Sequence, residues 1–167
     1  DGLALLDVLT GDLLGATAQL NARALSARAG ALARQGDALA ARELETQAMA
    51  LLEGVPDAAA QLADLLHSAA VTTIRRGDLS SGAELAKRSA ALFEAAGDTG
   101  RQAMALSALG VTVLHAENDP ARALGLFERS RVLAAQCGHV PAQRGAILNL
   151  IKIYADLGDI EPALALL

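Results

Sequence analysis

The sequence predicts an all-α chain made of about four antiparallel helix pairs, and three of its features lead there. Gly36-Asp37 and Gly77-Asp78 lie 41 residues apart, Asn118-Asp119 follows after another 41, and Gly158-Asp159 after 40. A second turn series, Pro56, Gly97 and Gly138, runs between them at the same 41-residue interval. Val, Ile and Thr are sparse and show no sustained alternation, which argues against a sheet. Two interleaved turn series at one period mean a unit of two helices and two turns. Stacked units of this kind present an extended surface rather than a closed active site.

The elements follow in order. A partial helix is expected over about 3–13, then pairs at 16–35 with 38–53, 57–76 with 79–96, 99–117 with 120–137, and 141–157 with 160 onward. This makes one repeat domain over 1–167: a partial helix in 1–14 and repeats at about 15–55, 56–96, 97–137 and 138–167. The chain starts at Asp1 without a methionine and ends at Leu167 inside a helical pattern, so it is read as a piece of a longer protein.

Local signals agree with these bounds. Leu62, Leu65, Leu66, Ala69 and Ala70 form one apolar helix face, and Arg75-Arg76 stand at its C-terminal end, where cations suit the helix dipole. Gly77 follows as a left-handed C-terminal cap, and Asp78 as the next N-cap. Leu85, Leu92 and Phe93 bury the following helix, which Gly97 ends. Asp98 or Thr99 starts another, with Gln102 three after Thr99 as in a capping box. Pro120, after Asp119, suits a first helical turn, because the hydrogen it lacks would have no partner there; Pro141 plays the same part. Asp37, Asp78, Asp119 and Asp159 are read as caps, not catalytic acids.

Within the second helix of each pair, residues recur in register. Four after each aspartate lies Ala41, Gly82, Ala123 or Ala163; seven after lies Leu44, Leu85, Leu126 or Leu166; fourteen after lies Leu51, Leu92 or Leu133. Such spacings share one helical face. The small residue is expected where the two helices of a pair cross closest.

Composition excludes several classes. Net charge is −5, no Lys/Arg-rich run occurs, and only Phe93, Phe127 and Tyr154 are aromatic, which counts against a nucleic-acid surface in this segment. No apolar run approaches the roughly 20 residues that span a bilayer. Cys137 is the only cysteine, so an intrachain disulfide and a Cys-based zinc site are excluded; it is expected as a small buried hydrophobe. His67, His115 and His139 have no metal-ligand spacing and no accompanying carboxylate cluster. Gly77-Asp78-Leu79-Ser80-Ser81-Gly82 has phosphate-loop glycine spacing, but Ala83-Glu84 replace the Lys-Ser/Thr that would meet the phosphates. No serine stands in a nucleophile elbow. The expectation is no enzymatic activity, no cofactor and no metal.

Ile147-Leu148-Asn149-Leu150, Tyr154, Leu157-Gly158-Asp159 and Ala163-Leu164 resemble the signature of the tetratricopeptide repeat, in the ~40-residue variant of bacterial regulators of the maltose-activator (MalT) type. Met104-Ala105-Leu106, Leu109-Gly110, Asn118-Asp119, Ala123-Leu124 and Phe127 match it in the preceding repeat, and Ala95-Ala96-Gly97-Asp98 resembles its inter-repeat turn. The likeness covers about residues 16–167 and weakens towards the N-terminus, where Ala29-Gly30 and Ala31-Leu32 replace the expected residues. The third repeat has one extra residue between Gly110 and Asp119.

The resemblance implies a right-handed superhelix of helix pairs, an α-solenoid whose first helices line a concave groove. By that register the groove holds Arg23, Ser26, Arg34, Asp64, His67, Val71, Ile74, Arg75, Ser107, Val111, His115 and Lys152. Charges, hydrogen-bonding groups and a few apolar anchors suit a peptide or a small polar ligand; the rival is a solvated inner face. The repeated Arg34 and Arg75 are better explained by helix C-terminal capping than by an anion site.

The first reading is therefore a non-catalytic interaction and regulatory module from a cytoplasmic bacterial protein. Its partner would be a protein, a peptide or another domain of its own chain, with no nucleic acid and no membrane. The alternative is a small-ligand-sensing segment of a bacterial transcriptional regulator of the ATPase/LuxR type. A third reading is self-association through the terminal helices, where Ile160, Leu164, Leu166 and Leu167 would need a neighbour.

Overall fold

A computed structural model describes the backbone of residues 2–55 and 57–166, and the side chains of 14–55 and 57–166. Among these the secondary structure is helical throughout: α1 (Gly2–Gln35), α2 (Ala38–Leu52), α3 (Ala59–Arg75), α4 (Leu79–Ala95), α5 (Thr99–Thr112) running into a π turn (Val113–Glu117), α6 (Pro120–Gln136), α7 (Val140–Leu157) and α8 (Ile160–Ala165). Successive helices are joined by short turns and pack as antiparallel pairs. Pro56 of the second turn series and Leu167 of the terminal apolar set lie outside the described residues.

The chain divides into two compact units, Asp1–Leu65 and Leu66–Leu167. In the first, α1 packs along α2. Ala22 and Ala29 on α1 and Ala41, Ala48 and Leu52 on α2 are buried. Gln61 Nε2 donates to the Gln19 carbonyl at 3.0 Å. The break expected at residues 14–15 does not occur, since α1 is one continuous helix of 34 residues. Gly15 lowers helix propensity by about 1 kcal/mol relative to Ala, but without a proline or a cap nothing ends the helix there.

The second unit contains the remainder of α3 and everything after it. Its turns are made as the glycine-aspartate pairs require. Gly77, Gly97, Gly138 and Gly158 all have positive φ, and Asn118, at φ +52, takes the same place after the π turn. Asp78, Asp98 and Asp119 each accept a hydrogen bond from the backbone N–H three residues on, as Asp37 does in the first unit. Asp159 is the exception: it precedes the six-residue α8 and makes no side-chain cap bond. Asp98, not Thr99, is the cap of α5.

The core face differs from the expected one in phase. Ala41, Gly82, Ala123 and Ala163, four after the aspartates, are buried as expected. Beyond them the deepest line in α4 is Ala86, Ser89 and Phe93, and in α6 it is Phe127, Ser130 and Ala134, at eight, eleven and fifteen after the aspartate. The leucines at seven and fourteen are only half-buried flanks, and Leu51 is exposed. Small residues go deepest because the helices cross so closely. A Cβ on Gly82 would lie 2.5 Å from Ile74 Cγ1, and one on Gly110 would lie 2.6 Å from Phe127 Cε1. Phe93 and Phe127 are both 1% exposed, and Phe127 packs with Val113, Leu150 and Ile153; burying such a side chain contributes about 1.5–3 kcal/mol. Ser130 satisfies its buried hydroxyl by donating to the Ala103 carbonyl at 2.7 Å.

The extra residue of the third repeat becomes the π turn. Asp98 to Asp119 spans 21 residues, whereas Asp78 to Asp98, Asp119 to His139 and His139 to Asp159 each span 20. A π turn absorbs one residue without turning the rest of the helix out of register. Val113 stays fully buried at its start, and His115, Ala116 and Glu117 are pushed to the surface. Cys137 is exposed rather than buried. It is the C-cap of α6, and a cap position points its side chain away from the core stripe.

Candidate functional site: the crevice between α5 and α7

Because α6 reverses the chain between them, α5 and α7 run in the same direction. They also touch each other directly. A crevice lies along their junction and holds two cavities, both within the second unit.

The first cavity, about 250 Å³, is bounded by α3, α5 and α7. His67 and Val71 come from α3; Met104, Ser107, Ala108 and Val111 from α5; Pro141, Ala142, Gly145 and Asn149 from α7. The spacings of three and four on each helix put these residues on one face. The lining is mostly apolar and carries no carboxylate, lysine or arginine. Its polar groups are His67, Ser107 and Asn149. Ser107 Oγ is 3.3 Å from Ser130 Oγ, and the single hydroxyl hydrogen of Ser130 is already donated to Ala103. Ser107 must therefore be the donor in that contact, so it offers the cavity only an acceptor.

Gly145 is the informative residue. It stands mid-helix, and a Cβ there would meet nothing within 4 Å. Gly82, Gly100 and Gly110 are explained by neighbours at 2.5 Å, 2.9 Å and 2.6 Å. Gly145 has no such packing reason, yet it bares backbone on the cavity wall, which is where a glycine allows another chain to come close.

The second cavity, about 280 Å³, opens where the π turn has displaced the end of α5. Leu114, His115 and Asn118 face Ile153, Asp156 and Leu157 of α7, with Pro120 at the base. Glu117, beside it, is engaged by Arg122.

At the opposite end, Asp98 and His139 cap α5 and α7. His139 stands where the register otherwise places aspartate, and its Nδ1 accepts from the Ala142 N–H at 3.2 Å. Its ring covers Gly100, where a Cβ would lie 2.9 Å from Cδ2. The Asp98 carboxyl is held below its usual range. The cause is first the Arg101 backbone N–H, opposed by burial, and then the Arg101 guanidinium and the charge of His139. The Arg101 side chain also lies 5.2 Å from the centre of the Phe93 ring.

Of the residues expected in the groove, His67, Val71, Ser107 and Val111 line the first cavity and His115 lines the second. Ile74 does not belong with them: its side chain packs against Gly82, in the cluster of Ala70 and Ala86. Arg75, at the end of α3, and Lys152, on α7, are exposed and line neither cavity. Arg23, Ser26, Arg34 and Asp64 belong to the first unit, where Ser26 is half-buried and the other three are exposed. Met104, Ala108, Gly145, Asn149 and Asp156, which also line these cavities, were not among the residues expected in the groove. Among the described residues no cluster of His, Cys, Asp and Glu could hold a metal ion, and no helix is long and apolar enough to cross a membrane.

No family model and no curated protein matches the chain. Among solved structures it is similar to aspartyl phosphate phosphatase F from Bacillus subtilis, with a TM-score of 0.77 at 13% identity over 87% of this chain. The match spans 38% of that longer protein. At this identity the likeness concerns the fold alone: an all-α chain of sequential antiparallel helix pairs.

Proposed function

We propose that this chain is a non-catalytic interaction module of the MalT-like tetratricopeptide type, whose α5/α7 crevice receives an extended segment of a protein partner or of another domain of its own chain. The observation that carries the reading is Gly145, a mid-helix glycine with open space above it on the wall of a three-helix cavity. Cavity size favours a peptide over a free small molecule. At about 250 Å³ and 280 Å³, each cavity falls below the roughly 300–1,000 Å³ of drug-sized ligand sites, and suits one anchoring side chain. Asp37, Asp78, Asp98 and Asp119 are committed as caps, which supports a structural rather than a catalytic role for them.

The test is to fill the crevice from its own wall. Gly145→Phe places a ring in open space, and replacing a helical glycine does not weaken α7. Immobilised wild-type chain should retain a protein from source-cell lysate that Gly145→Phe fails to retain at equal helical content. Retention of the same proteins by both forms would move the binding surface elsewhere.

A further inference from the structure

We infer that the segment held in the crevice carries an apolar side chain and, four residues away, a lysine or arginine. This rests on the reading that the crevice binds a peptide, and it assigns the chemistry of that peptide.

The two cavities differ in charge. The first has no carboxylate, lysine or arginine in its lining, and its apolar wall of Met104, Val111 and Ala142 suits an aliphatic or small aromatic side chain. The second is lined by the apolar Leu114, Ile153 and Leu157 together with His115, Asn118 and the carboxylate-bearing Asp156. Among the described residues no ion pair is formed by Asp156 within 4.0 Å. Glu117, near this end, is already engaged by Arg122, and the Asp119 side chain accepts the Arg122 backbone N–H as the cap of α6. Lys152 is the cation closest along α7, four residues before Asp156, but lysine N-terminal to the acid is the weaker orientation for a helical pair. A cavity that sets apolar groups beside one carboxylate matches the lysine and arginine side chains, which bury their methylene stems and keep the charged head at a polar rim.

Geometry gives the spacing. On α7 the first cavity is centred near Gly145 and the second near Ala155. At 1.5 Å per helical residue their centres are about 15 Å apart. An extended chain rises about 3.3 Å per residue and alternates its side chains, so two side chains facing the same wall over that distance are about four residues apart.

The experiment uses fluorescently labelled thirteen-residue synthetic peptides of serine and threonine with one leucine held at the centre. Lysine is scanned from one to six residues away on either side, with glutamate in the same positions as control. Binding should peak with lysine four residues from leucine and should not peak for glutamate. Asp156→Asn should lower affinity for the best lysine peptide about three- to fivefold, the range of a partly exposed ion pair, while leaving the leucine dependence intact. Leucine-dependent binding with no preference for lysine, or a preference that survives Asp156→Asn, would overturn the inference and leave the peptide-binding reading standing. No binding by any peptide would overturn both.

Discussion

Gly110 and Gly145 both stand inside continuous helices, one at the α5/α6 interface and the other on the α5/α7 crevice. A side chain at Gly110 would run into the ring of Phe127, whereas one at Gly145 would meet nothing within 4 Å. The same residue type thus marks opposite physical situations. At the interface glycine permits closeness that the fold already uses. At the crevice it leaves space that the fold does not use, and a helix bears the cost of about 1 kcal/mol for glycine over alanine without visible return in packing. The difference separates residues that hold the stack together from residues kept open.

The largest effect should come from closing the first kind of space. Gly110→Leu is expected to destabilise by about 1–3 kcal/mol or more through overpacking against Phe127. Gly82→Leu should do the same against Ile74. Denaturant midpoints check both. Pairing Gly110→Ala with Phe127→Leu should recover part of the cost of Gly110→Ala alone. If the double variant loses the sum of the two single effects, the two residues are not coupled and the interface reading fails.

The cap at Asp98 should rank next. Asp98→Ala is expected to cost about 1 kcal/mol at neutral pH, and Asp98→Asn much less, because asparagine also caps. The folded-state pKa of Asp98 is lowered, so its stabilisation is complete above the unfolded-state value and is lost as pH falls through the folded one. The gap between wild type and Asp98→Ala should therefore close below about pH 4. A gap that persists at pH 2 would assign the cost to packing instead.

These contrasts show what the sequence made legible. Turns and helix bounds were readable because their causes are local: glycine at positive φ, a side-chain acceptor at the N-cap, proline in the first turn. The burial phase was not, because a hydrophobicity argument ranks Leu85 and Leu126 above Ser89 and Ser130, whereas close crossing favours small side chains. The extra residue of the third repeat was visible as a count, but only the structure turns it into a π turn with a cavity beside it. Of the first-helix stripe, His67, Val71, Ser107 and Val111 line one cavity, whereas Ile74 packs against Ala70 and Ala86 in the core. Asn149 and Asp156 escaped because a polar residue on a helix reads as solvated until the opposite wall is known.

The smallest expected effect is the sharpest test of the comparison. Gly145→Ala adds one methyl group in open space and removes a glycine from the interior of α7, so it should stabilise the chain by about 0.5–1 kcal/mol. If glycine is held there for close approach of a bound chain, the same substitution should weaken binding of a leucine-lysine peptide even as it raises the denaturant midpoint. Gly125→Ala is the control: it too meets nothing within 4 Å, but it lies on the exposed face of α6, away from both cavities. It should stabilise by a similar amount and leave binding unchanged. Stabilisation by both substitutions with binding untouched by either would make Gly145 an unoptimised surface position, and the distinction between the two kinds of glycine would lose its functional half.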